Sequence, residues 1–459
     1  MAQSPVPVFE IAAKVRADAS VVVVLKMGAQ GFGAQAKALD EKLGGLLTRA
    51  CALPGFAMAG RCFDIPAPPS VATHRIVVLE LGDAETITPV SLAHAGAELA
   101  AFLEMKDEGE AAVVVDPAAG SALSAADVVA RLALGLRLRR YRFDLRKARG
   151  GAAADKEWRI GFVAGDDAAE VAQRLARANA VAEGVELART LVNLPSNHLN
   201  PDSFADYLSP LAEAGVEIEV LQSGDLERLG MNALLAVGSA SVRPPRVIVL
   251  RHRGAGEGTA PPLAFVGKGV CFDSGGLCTK SGPQMFDMKG DMAGAAAVCG
   301  LMLALARQNA AAHVVGVLGI AENLQSGKAY KPGDVINTMS GQTVEVFDTD
   351  CEGRMLLADC LYYTASHIKP KAIVDLATLT YSVMRGLGSI FAGLFGSDDT
   401  LAAEMIASGE KIGERFWRMP LDHAYDKGLQ SPITDLRQHA KTLEDGDAPY
   451  AAAFLLHFT

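Results

Sequence analysis

The sequence lacks the features of an exported or membrane-spanning protein. Its 459 residues contain no run of about 18 apolar residues, and no basic segment precedes an apolar core at the N-terminus. The seven cysteines form no CxxC pair, and their odd number argues against a disulfide framework. We therefore predict a cytoplasmic protein with reduced thiols and no membrane contact.

The sequence also has no excess of basic residues. Its formal net charge is −10, whereas nucleic-acid binding usually requires a clustered basic surface. One basic run, 137–142, is more typical of a helix end with cations near the C-terminal dipole than of a binding patch. We do not expect nucleic acid as a main partner. A DNA-binding accessory or regulatory protein is the alternative function.

The length predicts two hydrophobic cores. Short β-branched runs alternate with helical stretches over 20–138 and 216–376, which indicates an α/β fold with largely parallel strands. Charged and Gly/Ala-rich sequence breaks this alternation over 140–166. We predict a small N-terminal α/β domain over 1–165 and a larger α/β domain over 166–459. A mixed, mostly parallel sheet flanked by helices is expected in the larger domain.

The most informative stretch begins after an apolar run ending near residue 266. Lys268 and Asp273 are predicted to lie in a glycine-bearing loop after this strand, where α/β proteins place their ligands. Asp291 directly precedes an alanine-rich helical run, so by itself it is more typical of a helix N-cap. Whether Asp291 caps a helix or joins a site is left open by this spacing.

A second acidic segment follows at 347–359. If it continues the strand before it, Asp350, Glu352 and Arg354 alternate onto one face of that strand. The alternative is that both carboxylates are solvated in a turn and cap the next helix. Carboxylates brought together on one face would repel one another and would need cations.

The charges of these acids indicate which cations would neutralise them. Four carboxylates carry four negative charges, which two divalent ions would neutralise. Hard oxygen ligands without a His or Cys cluster favour magnesium, manganese or zinc. Two such ions activate a water and polarise a carbonyl, which is hydrolase chemistry.

Two lysines accompany the acids. Lys268 is compatible with a metal site as a neutral amine ligand, and Lys280 as a charged group that stabilises a developing oxyanion. The alternative, two surface lysines in a loop, stays open on spacing alone.

At these positions the sequence resembles the leucyl aminopeptidase family of dizinc metallopeptidases. The family signature Asn-Thr-Asp-Ala-Glu-Gly-Arg-Leu stands here as Asp348-Thr-Asp-Cys-Glu-Gly-Arg-Met355. Matches continue at Val266-Gly-Lys-Gly, at Phe272-Asp-Ser-Gly-Gly, at Asp291-Met-Ala-Gly, over 321–335 and at Ala377-Thr-Leu-Thr380.

The resemblance implies an aminopeptidase that acts on short peptides with a free N-terminus. It implies two ions, zinc or manganese with magnesium at an exchangeable position, held by Lys268, Asp273, Asp291, Asp350 and Glu352. Asp273 and Glu352 would bridge them. It further implies that Lys280 polarises the scissile carbonyl and that Arg354 holds a catalytic bicarbonate.

The resemblance also implies a homohexamer and a substrate pocket lined by Met288, Thr378, Leu379 and Tyr381. Tyr381 replaces the usual glycine, which leaves the preferred N-terminal residue open. The family continues with a Trp-x-His-x-Asp segment after the region at 451–456, and this chain ends at Thr459. We therefore expect a truncated C-terminus.

Overall fold

The computed structural model describes residues 6–16, 19–28, 31–53, 61–83, 85–116, 123–145, 157–165, 168–254, 260–440 and 447–459. The chain divides into two units, Met1–Ala182 and Glu183–Thr459. Residues 146–156 and residue 166 of the predicted break at 140–166 lie outside the described residues. The predicted boundary after residue 165 stays a prediction. No helix in the described part of the chain is both long enough and apolar enough to cross a membrane.

The N-terminal unit is built on one sheet with helices. Its strands are β1 (Val8–Ala12), β2 (Val21–Met27), β3 (Gly31–Phe32), β4 (Cys62–Pro66), β5 (Arg75–Glu80), β6 (Glu110–Val114) and β7 (Arg159–Val163). Its helices are α1 (Ala34–Lys42), α2 (Leu46–Cys51), α3 (Pro89–Met105), α4 (Ala125–Arg140) and the start of α5 (Ala168–Asn193).

The strand order is β1-β7-β6-β2-β5-β4, with β3 paired to β2. The pairs β1–β7, β7–β6, β6–β2 and β2–β5 are parallel. Strand β4 pairs antiparallel with β5, and β3 pairs antiparallel with β2. Strand β2 is buried over nearly its whole length because it lies inside the sheet, which explains its continuous β-branched sequence. The predicted α/β character of this part is therefore confirmed.

The basic run 137–142 is part of this unit and includes the end of α4. Arg137 and Arg140 are buried. Arg137 donates to the side-chain oxygen of Asn179 across 3.2 Å, and Arg140 lies 4.2 Å from the ring centre of Trp158. The run thus ends helix α4, as the helix-end interpretation predicted, and these two arginines make internal contacts.

The second unit contains a larger set of elements. Its strands are β8 (Glu217–Leu221), β9 (Arg246–Arg253), β10 (Leu263–Asp273), β11 (His313–Asn323), β12 (Val335–Asn337), β13 (Thr343–Glu345), β14 (Ala372–Leu376), β15 (Ala392–Leu394), β16 (Phe416–Arg418) and β17 (Leu436–Arg437). Its α-helices are α6 (Ser209–Glu213), α7 (Ser223–Leu229), α8 (Asn232–Val237), α9 (Gly282–Phe286), α10 (Ala293–Arg307), α11 (Glu352–Tyr363), α12 (Tyr381–Leu387), α13 (Asp399–Ile412) and α14 (Asp447–Leu456).

The main sheet of this unit has the order β14-β10-β11-β9-β8. Strand β10 is parallel to both β14 and β11, whereas β9 pairs antiparallel with β11 and with β8. This mixed sheet confirms the predicted fold class. Helix α10 packs closely on β10 at Gly267. A Cβ at that position would lie only 2.6 Å from the Cα of Ala295.

One local prediction was wrong, and the structure decides two alternatives that the sequence left open. Lys268 and Asp273 belong to strand β10 itself and not to a loop after it. Strand β13 ends at Glu345 and helix α11 begins at Glu352, so the acidic segment does not alternate as a strand. Met292, and not Asp291, is the N-cap residue of α10, and no side chain caps that helix end.

Candidate active site

A β-bulge brings Lys268 and Asp273 together. The two residues are five positions apart on β10, so regular alternation would place their side chains on opposite faces. The register with β11 shifts between Val270 and Phe272, and such an extra residue re-aims the side chains that follow it. Both side chains consequently reach one buried cluster, and each residue is 2% exposed.

A glycine turn then returns the chain to the same cluster. Gly275 and Gly276 have φ angles of +84° and +63°, a region that L side chains rarely adopt. A Cβ at Gly275 would also lie 2.9 Å from Oδ1 of Asp350. The turn closes when the Lys280 backbone N–H donates to the carbonyl of Ser274 across 3.0 Å. Lys280 is thereby placed beside the end of β10.

The Lys268 ammonium lies between two carboxylates. Its Nζ donates to Oδ1 of Asp291 across 2.9 Å and lies 2.8 Å from Oε1 of Glu352. It also donates to the Thr378 carbonyl across 3.1 Å. Burial acts to lower the pKa of Lys268, but Asp291 and Glu352 outweigh burial and raise that pKa. A neutral amine at this position therefore requires a cation that displaces the proton.

Lys280 occupies the other side of the cluster. Its Nζ lies 2.7 Å from Oδ2 of Asp273 and donates to Oδ1 of Asp350. Burial acts to lower the pKa of Lys280, and the carboxylate of Asp273 outweighs it and raises that pKa. Lys280 is therefore a charged group beside the acids, as its predicted role requires.

Three of the predicted acids can offer oxygens to one ion. One carboxylate oxygen each from Asp273, Asp350 and Glu352 lies within 4.8 Å of the others. Burial and the neighbouring charge of Asp273 raise the pKa of Asp350 to about 7 and that of Glu352 well above its usual value. Burial likewise raises the pKa of Asp291. With both lysines charged, four ionised carboxylates keep two unbalanced negative charges, which favours the binding of a divalent cation in the cluster.

Two carboxylate oxygens in this cluster lack a hydrogen bond within the described part of the chain. They are Oε2 of Glu352 and Oδ2 of Asp291, and both are buried. The latter lies 2.8 Å from Nζ of Lys268, close enough for an ion pair but without hydrogen-bond geometry. Buried carboxylate oxygens normally have partners. The donor set of oxygens and one amine nitrogen fits divalent metal ions.

Asn323 supports this cluster, and the sequence interpretation assigned it no role. Its side-chain nitrogen donates to Oδ1 of Asp273 across 2.8 Å and to the Thr349 carbonyl across 3.0 Å. The Thr349 hydroxyl in turn donates to the Gly275 carbonyl across 2.7 Å. Asn323 lies in the family-like segment 321–335, which was the only sequence signal for it.

Thr378 and Gly353 support Asp291 and Lys268. The Thr378 hydroxyl donates to Oδ1 of Asp291 across 2.7 Å. A Cβ at Gly353 would lie 2.8 Å from Nζ of Lys268 and 2.9 Å from Cδ1 of Leu379. The lysine therefore passes directly over the backbone of α11. Glu352 is the first residue of helix α11.

The other predicted pocket residues are more exposed. Met288 is half-buried in a short 3-10 turn, Met288–Gly290, and Tyr381 begins helix α12 with 48% of its surface exposed. Thr378 is exposed although its hydroxyl binds Asp291. The role of these residues in substrate binding stays a prediction.

Arg354 is buried beside the cluster. Its guanidinium donates to Oδ1 of Asp447 across 2.6 Å and to the Gln438 carbonyl across 3.1 Å. Burial acts to raise the pKa of Asp447, but the hydrogen bond from His439 and the charge of Arg354 outweigh it and hold that pKa at about 2. No sequence motif linked these residues, because Asp447 is far along the chain from Arg354.

A buried cluster of carboxylates and lysines at the end of a central strand in an α/β unit is typical of metal-dependent hydrolases. Residues 186–459 match the catalytic domain of the cytosol aminopeptidase family, and residues 21–150 match the N-terminal domain of that family. The chain belongs to the cytosol aminopeptidase family and is therefore a metallo-exopeptidase.

Relatives and solved structures agree with this membership. The chain is 44% identical over 433 residues to a "Probable cytosol aminopeptidase" of Methylorubrum extorquens, covering 93% of this chain and 84% of that protein. It is 39% identical over 422 residues to the protein of the same name from Caulobacter vibrioides, covering 92% and 84%.

Two solved structures share the fold. The bottromycin maturation enzyme BotP in complex with Mn has a TM-score of 0.81 and 32% identity, covering 96% of this chain and 90% of that one. A tomato leucine aminopeptidase mutant has a TM-score of 0.84 and 28% identity, covering 100% and 90%.

Proposed function

We propose that this chain hydrolyses the first peptide bond of short peptides and that two divalent ions are required. The observation that carries the proposal is the set of buried acids around Lys268, in which Oε2 of Glu352 has no partner among the described residues. The proposed metal ligands are Lys268, Asp273, Asp291, Asp350 and Glu352. Zinc or manganese suits them, with magnesium at an exchangeable position.

When bound, the ions supply Lewis acidity for a water molecule and the scissile carbonyl. Side chains of this chain stabilise the developing charge and orient the metal ligands. Lys280 stays charged because Asp273 lies 2.7 Å away, so it can stabilise negative charge that develops on the carbonyl oxygen. Asn323 and Thr378 hold Asp273 and Asp291 in their orientations through hydrogen bonds. Arg354 is proposed to bind an anion beside the reaction centre.

The free N-terminal amine of the substrate is the proposed basis of exopeptidase specificity. An amine bound at the cluster would position the first peptide bond, and an internal bond has no such amine. Met288, Thr378, Leu379 and Tyr381 are proposed to contact the first residue of the substrate. Because Tyr381 is larger than the usual glycine, we propose that its ring restricts that position.

The proposal extends to assembly and location. We propose a homohexamer in the cytoplasm, with an N-terminal domain over 1–165 and a catalytic domain over 166–459. The absence of a membrane-crossing helix among the described residues is compatible with this location. Sedimentation of the purified chain would give its oligomeric state directly.

The proposed activity is tested with a dipeptide panel and each divalent metal. The wild-type protein loaded with manganese or zinc should release the N-terminal residue, and Lys280→Ala and Glu352→Ala should not. An acetylated substrate should be stable because it has no free amine. Equal rates on free and acetylated peptides would disprove the amine-binding mechanism.

A further inference from the structure

Arg354 has a carboxylate partner that the chain itself supplies. The guanidinium donates to Asp447 across 2.6 Å, and Arg354 is only 1% exposed. A buried cation is costly unless an anion balances it. An anion is therefore needed at this place, and Asp447 provides one without any added ion.

His439 holds the carboxylate in place from the other side. Its Nε2 lies 3.2 Å from Oδ1 of Asp447, and its Nδ1 lies 2.7 Å from the Ala440 carbonyl oxygen. The His439 side chain is 3% exposed and stacks on Phe347, with centroids 6.0 Å apart and an interplanar angle of 19°. Asp447 also begins helix α14, where a negative charge is stabilised by the helix dipole.

The same segment is bonded to the loop that carries Asp350. The side-chain oxygen of Gln438 accepts from the backbone N–H groups of Phe347 and Asp348, each across 3.1 Å. Its side-chain nitrogen donates to the Cys351 carbonyl across 2.9 Å. Gln438 therefore contacts both this loop and Arg354, because its carbonyl accepts from the Arg354 guanidinium.

Asp447 and the Gln438 carbonyl accept from two of the three Arg354 nitrogens, Nη2 and Nη1. An oxyanion binds arginine best through two parallel donors on one edge. One such edge consists of Nε and Nη2, and Nη2 donates to Asp447. Nε is buried and has no partner in the part of the chain that the structure describes. Two anions at this edge would also repel each other.

We propose that Asp447 fills the anion position of Arg354 in this enzyme, so that bicarbonate is excluded from it and is not needed. Asp447 is a positioning residue that acts through Arg354. The inference rests on the proposed aminopeptidase function, in which that position would otherwise take an external anion.

The test uses the full chain loaded with manganese, as wild type and as the variants Asp447→Ala, Asp447→Asn, Arg354→Ala, and Asp447→Ala combined with Arg354→Ala. Bicarbonate binding is measured by calorimetry and by the shift in thermal midpoint, and peptidase rates are measured with and without bicarbonate. The matched control is Asp399→Ala, because Asp399 is also a first-turn helix acid paired with an arginine, Arg418, but its side chain is 86% exposed.

We expect no saturable bicarbonate binding by the wild type or the control. Asp447→Ala should bind bicarbonate, lose about tenfold in rate without it and regain that rate when it is added. The double variant should lose the acquired binding, which assigns it to Arg354. Asp447→Asn keeps the side-chain shape and should be folded. A loss of rate in this variant would be caused by the missing charge and not by a change in packing.

Saturable binding of bicarbonate by the wild type that Arg354→Ala abolishes would overturn the proposal. So would an Asp447→Ala protein that is folded and acquires no binding. The binding measurements decide this even if no variant cleaves peptides, in which case the aminopeptidase function fails separately.

Discussion

The side-chain amide of Asn323 joins Asp273 to the backbone of Thr349, with distances of 2.8 Å and 3.0 Å. Asp273 ends strand β10, Asn323 ends strand β11, and Thr349 directly precedes Asp350. One buried amide thus connects the ends of two parallel strands to the acidic loop. The geometry of the carboxylates depends on this link as well as on the carboxylates themselves.

Asn323→Ala should weaken metal binding. Asp273 and the Thr349 carbonyl both lose a donor, so the affinity for manganese should fall about 10-fold to 100-fold. Chelator competition measures this affinity directly. Gln173→Ala removes an exposed amide on helix α5 and serves as the control. An unchanged affinity in Asn323→Ala would show that Asp273 needs no such support.

Thr378→Val should act on the other end of the cluster. It removes the hydroxyl that donates to Oδ1 of Asp291 but keeps the shape of the side chain. We expect a loss of about tenfold in metal affinity, whereas Thr378→Ser should keep the affinity near wild type. Equal losses in both variants would contradict the role of the hydroxyl and point to packing instead.

Gly353→Ala tests the close approach of Lys268 to helix α11. Alanine inside a helix normally adds up to about 1 kcal/mol of stability relative to glycine. Here the new Cβ would lie 2.7 Å from Cε and 2.8 Å from Nζ of Lys268. We expect kcat/KM to fall about a hundredfold because the lysine must move.

The control is Gly282→Ala, since nothing lies within 4 Å of a Cβ at that position. Its kcat/KM should match that of the wild type. Full activity in a folded Gly353→Ala protein would mean that the position of Lys268 is not critical.

Asp447→Asn should change the dependence of stability on pH. The pKa of Asp447 is about 2 in the folded protein against an ordinary 3.8, so its ionised form favours folding. This contribution is complete above pH 3.8 and is lost as the pH falls through 2. This contribution is on the order of 1–2 kcal/mol, a value reduced to allow for solvent screening of the partly exposed side chain.

Urea unfolding of both proteins measures this difference. The wild type should be more stable than Asp447→Asn at about pH 5, and the gap should narrow toward about pH 2. A gap that is constant with pH would show that the charge of Asp447 does not stabilise the fold.

Sequence patterns predicted most of the architecture. Alternating β-branched and helical runs predicted two α/β parts, and the sheets of both units confirm it. The predicted boundary after residue 165 stays a prediction, because glycine-rich sequence indicates a break but does not show where packing divides. The division at residue 182 falls inside helix α5, which has no local sequence signal.

The local setting of the site was harder to predict. The strand interpretation of Asp350 and Glu352 failed because spacing alone does not show where a strand ends and a helix begins. The cap interpretation of Asp291 failed because Lys268 and Thr378 bind its carboxylate instead.

The sequence by itself determined the chemical inventory of this protein: four acids, two lysines and one arginine in motifs that resemble a metallopeptidase family. Only the tertiary structure decided how they meet. A bulge turns Lys268 and Asp273 toward one cluster, and Asn323 and Asp447 enter from distant parts of the chain. The reason is physical, because motifs report residues that are close in sequence, whereas hydrogen bonds and ion pairs depend on distance in space.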